Sequence, residues 1–361
     1  MKKRFGPIGL PLGLVLGIFF AAGTVRSQPL TQVIEGAKKE GAVSMTLRTG
    51  FTPKSMARLE QEIKEKFGVE LKIRFVPNTS FPKELAAAMM ELKSGAIPSF
   101  DLMTFSTQVP EGLRTGLFER VEWRPLISKD TNPEVVHDDP ALVGAITYFT
   151  GHLGLMYYSE KFSVDRIPKT LGDLADPKWQ GRVGIHNYPA LWATDAYVLG
   201  KEKVLSDLRT ILKNGAILGI YADMYNRYLL GEIHLCLITS AYLKMARDKG
   251  VSTGWRSLDY ANIREYSLVV RTGAKHPNAA KLVALYLGSP AGAKFTFEEA
   301  GSGNLYYPGN YEHDIRMQNK SQGIPEVFTD RKRDILEFSV SKEFERWERE
   351  IKVILDTGGQ R

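Results

Sequence analysis

Arg48 is the residue whose type and setting point most directly to chemistry. It closes the apolar run Val43–Leu47 and opens the loop Arg48-Thr49-Gly50-Phe51-Thr52-Pro53. A guanidinium is permanently charged, and its planar fork fits a carboxylate, phosphate, phosphonate or sulfonate. Three more loops follow apolar runs in the same way: Ser106-Thr107, the stretch from Asn187 and Tyr188 to Trp192, and Thr239-Ser240 leading to Tyr242. In open α/β sheets, ligands sit beyond the carboxyl ends of strands, where such loops gather. Each loop offers hydroxyl or amide groups ahead of a helix start, whose unpaired N–H groups favour an anion. One helix dipole contributes roughly 0.3–1 kcal/mol, and up to about 2 when partly buried. The same Ser, Thr and Asn residues also serve as caps with no ligand present, so Arg48 carries most of the argument. Tyr188, Trp192 and Tyr242 are placed either to contact an organic ligand or to pack the wall beside it. The candidate ligand-binding set is therefore Arg48, Thr49, Ser106, Thr107, Asn187, Tyr188, Trp192, Thr239, Ser240 and Tyr242.

Other chemistries lack their residues. The six histidines are scattered, with no HExxH or paired metal spacing. No Walker A loop and no GxSxG elbow occurs, and Gly301-Ser302-Gly303 reads as a turn. Cys236, the single cysteine, lies in the apolar run Ile233–Ile238 and reads as a buried strand thiol. Neither a catalytic residue nor a cofactor or metal is therefore expected.

The elements that must position these loops alternate short apolar runs with longer helical patterns, as in an α/β protein. Strands are predicted at Val43–Leu47, Val69–Val76, Phe100–Phe105, Gly181–Ile185, Ile233–Ile238 and Ser267–Arg271. Between the first two, Met56, Leu59, Ile63 and Phe67 fall on one helical face, started by Thr52-Pro53 and stopped by Gly68. Ser80 is expected to cap a helix ending at Gly95, Thr239-Ser240 the helix Ala241–Lys249, and Asn278 the apolar helix Ala279–Leu287. The segment Ala145–Tyr158 separates two such series and reads as a crossing. Near the C-terminus, Phe344, Trp347, Ile351 and Leu355 form one apolar stripe, expected to pack on a lobe.

The N-terminus carries an export pattern. Lys2, Lys3 and Arg4 precede the apolar run Ile8 to Ala22, which is short for a membrane span and suited to a signal-peptide core. Small residues at Ala21 and Gly23, or at Val25 and Ser27, supply a cleavage site, and no nearby Cys offers a lipid anchor. Removing residues 1–27 takes away Lys2, Lys3, Arg4 and Arg26 but no acids, so the formal charge falls from +7 to +3. That modest charge gives no support to nucleic-acid binding. About 334 residues remain, enough for two lobes with cores of their own. A periplasmic location is expected.

Several segments carry a family resemblance in order. Ile167-Pro168-Lys169-Thr170-Leu171-Gly172-Asp173-Leu174 runs into Asp176-Pro177-Lys178-Trp179-Gln180-Gly181-Arg182-Val183. Upstream lie Lys39-Glu40-Gly41, Lys66-Phe67-Gly68-Val69 and Glu91-Leu92-Lys93-Ser94-Gly95. Downstream lie Gly273-Ala274-Lys275-His276-Pro277-Asn278 and Gly288-Ser289-Pro290-Ala291-Gly292. Over roughly residues 35 to 310 the chain resembles the extracellular solute-binding proteins of the iron, thiamine and polyamine ABC importers. The resemblance implies a two-lobed type II periplasmic binding protein, each lobe a mixed sheet flanked by helices and hinged by crossing strands. Residues 28–148 plus 266–303 are expected to form lobe 1, and 149–265 plus 304–361 lobe 2. The implied protein is a monomer, not an enzyme, that closes on its ligand and serves an ABC permease and its ATPase. Iron-binding relatives carry two adjacent tyrosines where this chain reads Ala241-Tyr242, which favours a small anionic organic ligand over ferric iron. Tyr157-Tyr158 and Tyr306-Tyr307 fall elsewhere. An enzyme or a receptor-linked sensor on the same fold are the further alternatives.

Overall fold

The computed structural model describes residues 28–360, so the expected signal peptide lies outside the described residues. The chain begins with α1 (Leu30–Glu40), β1 (Ala42–Arg48), α2 (Pro53–Phe67), β2 (Lys72–Asn78), α3 (Phe81–Ser94), β3 (Leu102–Phe105) and α4 (Val109–Arg114). The long strand β4 (Ala145–Tyr158) leads to β5 (Val183–His186), α5 (Pro189–Leu199), α6 (Lys201–Lys213), β6 (Ile217–Gly219) and α7 (Tyr221–Leu229). Next come β7 (Leu235–Thr239), α8 (Ala241–Asp248), β8 (Thr253–Arg256), β9 (Ala261–Val270), α9 (Pro277–Leu287) and α10 (Pro290–Ala300). The chain ends in α11 (Tyr311–Ser321), β10 (Glu326–Phe328), α12 (Arg333–Ser339) and α13 (Lys342–Asp356).

Local chemistry sets many of these boundaries. At the start of α2, Thr52 Oγ1 accepts from Ser55 N and Ser55 Oγ accepts from Thr52 N, a reciprocal cap with Pro53 at the first helical position. Gly68 ends that helix at φ 66°, a conformation that glycine adopts without a Cβ penalty. Three expected caps differ, and Ser80 stands at the start of α3 without a side-chain cap bond. Asn278 instead donates through its amide to Glu40 at 2.6 Å and ties α9 to α1. Ser240 turns its hydroxyl toward Glu312 and makes no cap bond. The second strand starts at Lys72, where parallel pairing with Ala42 begins; Val69 and Leu71 are buried ahead of it.

The strands join in the order β2-β1-β3-β9-β4-β7-β5-β6, with β10 on β9 and β8 on β4. Strand β4 runs through both lobes. Its first part, from Ala145 to Leu153, pairs antiparallel with β9, and from Leu153 to Tyr157 it pairs with β7. One core gathers Met45, Leu59, Ile63, Val283 and Leu287 around β1 and α9. A second gathers Ile185, Trp192, Leu208 and Ile354, with Met156, Tyr228 and buried Cys236 beside it. Trp179 packs edge-on against Phe162, and the α13 stripe lies on the second core. The chain after 303 is shared between the lobes, unlike the expected division. Leu305, Tyr306 and Tyr307 join the first core, Leu336 packs near Phe105, and Tyr311, Ile351 and Leu355 pack in the second lobe. In α12, next to Leu336, Phe338 stacks on Tyr197 at 4.4 Å, so this helix bridges the lobes.

Two buried histidines make the fold acid-sensitive. Burial pushes His137 and His186 down to about 3 from an ordinary 6.5. The unfolded chain therefore binds more protons between those values, and stability is lost as pH falls from 6.5 toward 3. Asp195, raised by burial to about 6 from 3.8, acts in the opposite sense between those two values. Glu265 and Asp330, also raised by burial, act as Asp195 does, so the histidine contribution is read as the extra drop in the urea midpoint that the two imidazoles cause between about pH 6.5 and about 4. His186→Phe should shrink that drop. An unchanged pH slope in the variant would remove His186 from the account.

Candidate functional site

Strands β1, β2, β4 and β9 face the starts of α7 and α8 and the first turn of α5 across a cavity of about 230 Å³. A register shift between Thr147 and Phe149 marks a bulge in β4. Bulges bend a strand and re-aim its side chains, and here Phe149 through Leu153 all lie along the cavity wall. Phe149 stacks on Tyr266 with 4.2 Å between ring centres. This flat apolar pair forms one side of the space.

Two arginines supply the charge. Arg48, at the end of β1, donates to Ser302 Oγ at 2.5 Å and lies 5.4 Å from the Phe149 ring centre. Ser302 sits in the turn that follows α10, so a segment read as a mere turn positions this guanidinium. Arg264, in the middle of β9, is the second cation on the wall. Burial opposes its charge, but Asp330 and neighbouring polar groups outweigh that effect and raise its pKa. No Asp or Glu lines the cavity, and neither arginine forms an ion pair among the described residues.

Neutral donors complete the lining. The Tyr221 hydroxyl is buried with no hydrogen-bond partner, and burial holds its pKa well above 10.0. Tyr266 is raised in the same direction for the same reason, so both phenols stay protonated donors near neutrality. Thr239 and Ala241 bring the first turn of α8 to the cavity. Its N–H groups point outward from the helix start.

Behind this wall lies a buried polar cluster. His152 Nδ1 is 2.6 Å from Glu312 Oε2, and Ser240 Oγ donates to Glu312 Oε1. The His152 backbone N donates to Ser240 Oγ at 2.9 Å. Serine and imidazole thus share the carboxylate rather than bonding to each other. A serine nucleophile needs its hydroxyl on the imidazole, whereas the Ser240 hydroxyl goes to the carboxylate.

The sequence-predicted residues divide in space. Arg48, Thr239 and Ser240 meet at the cavity. Thr107 lies in a larger adjoining groove that shares Leu191 and Arg264 with it. Thr49 is exposed in the turn after β1, and Asn187 is exposed beyond β5. Ser106 is buried and donates to Asp330 at 2.5 Å, so its hydroxyl is already used. Tyr188 packs edge-on against Tyr221, placing it one layer behind the wall. Trp192 is fully buried, with its indole N–H donated to His186 O at 3.0 Å. Tyr242 packs on Tyr225 at 5.0 Å between ring centres and does not line the cavity. Sequence reasoning missed Arg264, Tyr266, Tyr221 and His152. The charged pair Arg264-Glu265 inside a strand-like run was the available signal.

Comparisons with known proteins agree with this architecture. A family model described as bacterial extracellular solute-binding protein matches residues 96–298, more than half of the chain. Among curated proteins, none matches. The fold is similar to iron-bound HitA from Pseudomonas aeruginosa, with 16% identity, a TM-score of 0.60, and coverage of 86% of this chain and 99% of that one. The spermidine/putrescine ABC transporter substrate-binding protein PotD from Streptococcus pneumoniae gives 14%, 0.66, 88% and 99% in the same order. The GacH receptor of Streptomyces glaucescens, solved in unliganded form and with acarbose, gives 13%, 0.67, 88% and 94%. An iron protein, a polyamine protein and an acarbose receptor share this architecture, so the ligand must be argued from the site.

Proposed function

The chain belongs to the bacterial extracellular solute-binding proteins, and on that premise we propose that it captures a small anionic organic molecule between its lobes. The observation that carries this reading is a cavity with Arg48 and Arg264 on its wall and no carboxylate on that wall. Two guanidinium groups with no ion-pair partner, in a partly desolvated space, favour a negative guest and disfavour a bare trivalent cation. The Phe149–Tyr266 pair adds a flat surface for a carbon skeleton. The same arginines weigh against ferric iron, as does Tyr242, which packs away from the cavity beside Ala241.

In this reading β4 and β9 act as the hinge, and closure brings α5, α7 and α8 onto a ligand already held by β1. The monomer then delivers it, in the periplasm, to an ABC permease and its ATPase. Among the described residues no helix is long and apolar enough to cross a membrane.

Native mass spectrometry of the protein as isolated, followed by thermal-shift screening of small carboxylic, phosphonic and sulfonic acids, tests the proposal. A ligand that binds only the folded state at a hundredfold excess over Kd adds about 2.7 kcal/mol of stability. The expected result is a rise in Tm with a subset of acids and no visible phenolate-to-iron band after ferric loading. A tight, stoichiometric, coloured ferric complex would overturn the anion reading.

A further inference from the structure

Gly151 lies on the cavity wall, in the interior of β4. Antiparallel pairing sets it directly across from Arg264, as Phe149 is set across from Tyr266. Residues two apart on a strand share a face, so Phe149, Gly151 and Leu153 line the same side as the two β9 residues. Glycine weakens a strand interior, so its presence there asks for a cause. Conformation is not the cause, since Gly151 has no positive φ. Crowding is not the cause either. A Cβ at Gly154, Gly184 or Gly254 would lie 2.8, 2.5 or 2.3 Å from its nearest neighbour. At Gly151 the nearest atoms would be Tyr266 Cε2 at 3.7 Å and Ser240 Oγ at 3.9 Å, both ordinary contacts. An alanine would fit, and the glycine leaves that volume open. A carbon atom standing where the Cβ would be touches the Tyr266 ring without strain. Apolar surface continues from there along Phe149, Leu153 and Leu191, and Phe81 lies 6.0 Å from Tyr266. Arg264 stands directly across from this notch.

We propose that Gly151 is the specificity-determining position of this site. Its bare backbone receives the carbon skeleton of the ligand, and the captured molecule is a small acid bearing an apolar ring. This inference rests on the anion reading above and narrows it. Arg264 takes the anionic group while the ring fills the notch between Phe149 and Leu153, where apolar surface is removed from water. A side chain at position 151 would occupy the same volume, so it would select against the skeleton and spare the charged group. Bulk is thus read by an absent side chain, at a place where a ligand approaches backbone closely. Gly151 also lies in the strand that runs through both lobes. A hinge role there makes a different demand, because it would affect every ligand alike.

Calorimetry with three matched pairs tests this, each pair sharing its head group: benzoate and acetate, phenylphosphonate and methylphosphonate, benzenesulfonate and methanesulfonate. In the wild-type protein the ring member of a bound pair should bind at least about tenfold more tightly, because it buries several more carbons. Gly151→Ala should weaken the ring acid roughly tenfold and Gly151→Val roughly a hundredfold, with the methyl acid within about threefold of wild type. The urea midpoint of Gly151→Ala should hold or rise, since alanine restricts the unfolded chain and accepts this backbone conformation. Methyl acids that bind as well as their ring partners in the wild type would overturn the inference and leave the anion reading standing. Equal losses for both members in Gly151→Ala would also overturn it and assign the glycine to hinge motion. So would an unchanged ring-acid Kd in Gly151→Val. Failure of every acid to bind would remove the parent reading and this one together. The wild-type comparison decides the matter even where a variant folds poorly.

Discussion

Arg264→Ala is expected to weaken binding of the acid found by thermal-shift screening by about 1.5–3 kcal/mol, the range for a hydrogen bond to a charged group. In Kd this is a rise of roughly tenfold to somewhat over a hundredfold. The expectation rests on where the guanidinium stands. Arg264 lines the cavity, forms no ion pair among the described residues, and is held charged by Asp330 at longer range. Its fork is free for a guest. Arg48→Ala should act in the same direction with a smaller effect, because its guanidinium already donates to Ser302 and lies against Phe149. Arg264→Lys should recover only part of the loss, since an ammonium keeps the charge but not the planar pair of donors. Isothermal calorimetry at fixed salt is the measurement. An unchanged Kd in Arg264→Ala would exclude it from the site and return the argument to Arg48 alone.

That Arg264 escaped sequence reading has a physical cause. Local signals made β1 and α2 legible, because they are bounded by residues with one strong backbone preference: Gly41, Thr52-Pro53 and Gly68. The apolar end of β9 was legible for the same reason. Its first half was not, since Asn262, Arg264 and Glu265 break the apolar run that marks a buried strand. Those polar residues sit in a strand interior because they face Asp195, a cavity and Arg331, respectively. Only tertiary structure supplies those neighbours.

Helix starts posed a different difficulty. Four loops with similar composition earned similar weight, yet the loops after β1 and β7 are the two that bring predicted residues to the cavity. Ser106 differs from Ser240 less in type than in neighbour: one donates to Asp330, the other to Glu312 beneath the cavity floor. Cap chemistry is local, whereas the approach of two lobes is set by β4 and β9. His152 illustrates the limit most clearly. Nothing within several residues of it distinguishes it from the other scattered histidines, and its partner Glu312 lies 160 residues away.

Trp192 was expected beside the ligand and stands in the second core, which leads to a prediction of opposite kind. Helix α5 is apolar on most sides, so the position three residues after Pro189 faces inward, where the indole packs against His186 at 4.6 Å. Trp192→Ala should lower stability by about 3–5 kcal/mol, the range for deleting a large aromatic from a core that closes only partly around the void. The urea midpoint should fall at constant m-value. The loss includes the indole hydrogen bond to His186 O, which leaves a buried carbonyl without that donor. Binding should behave otherwise. Leu191 meets the cavity and Trp192 does not, so folded Trp192→Ala at low temperature should hold the acid within about threefold of wild-type Kd. A large rise in Kd with near-normal stability would reverse the assignment and put the indole back in the cleft. Paired with Arg264→Ala, which should spare the urea midpoint far more than it spares Kd, the two variants separate what holds the lobes together from what fills the space between them.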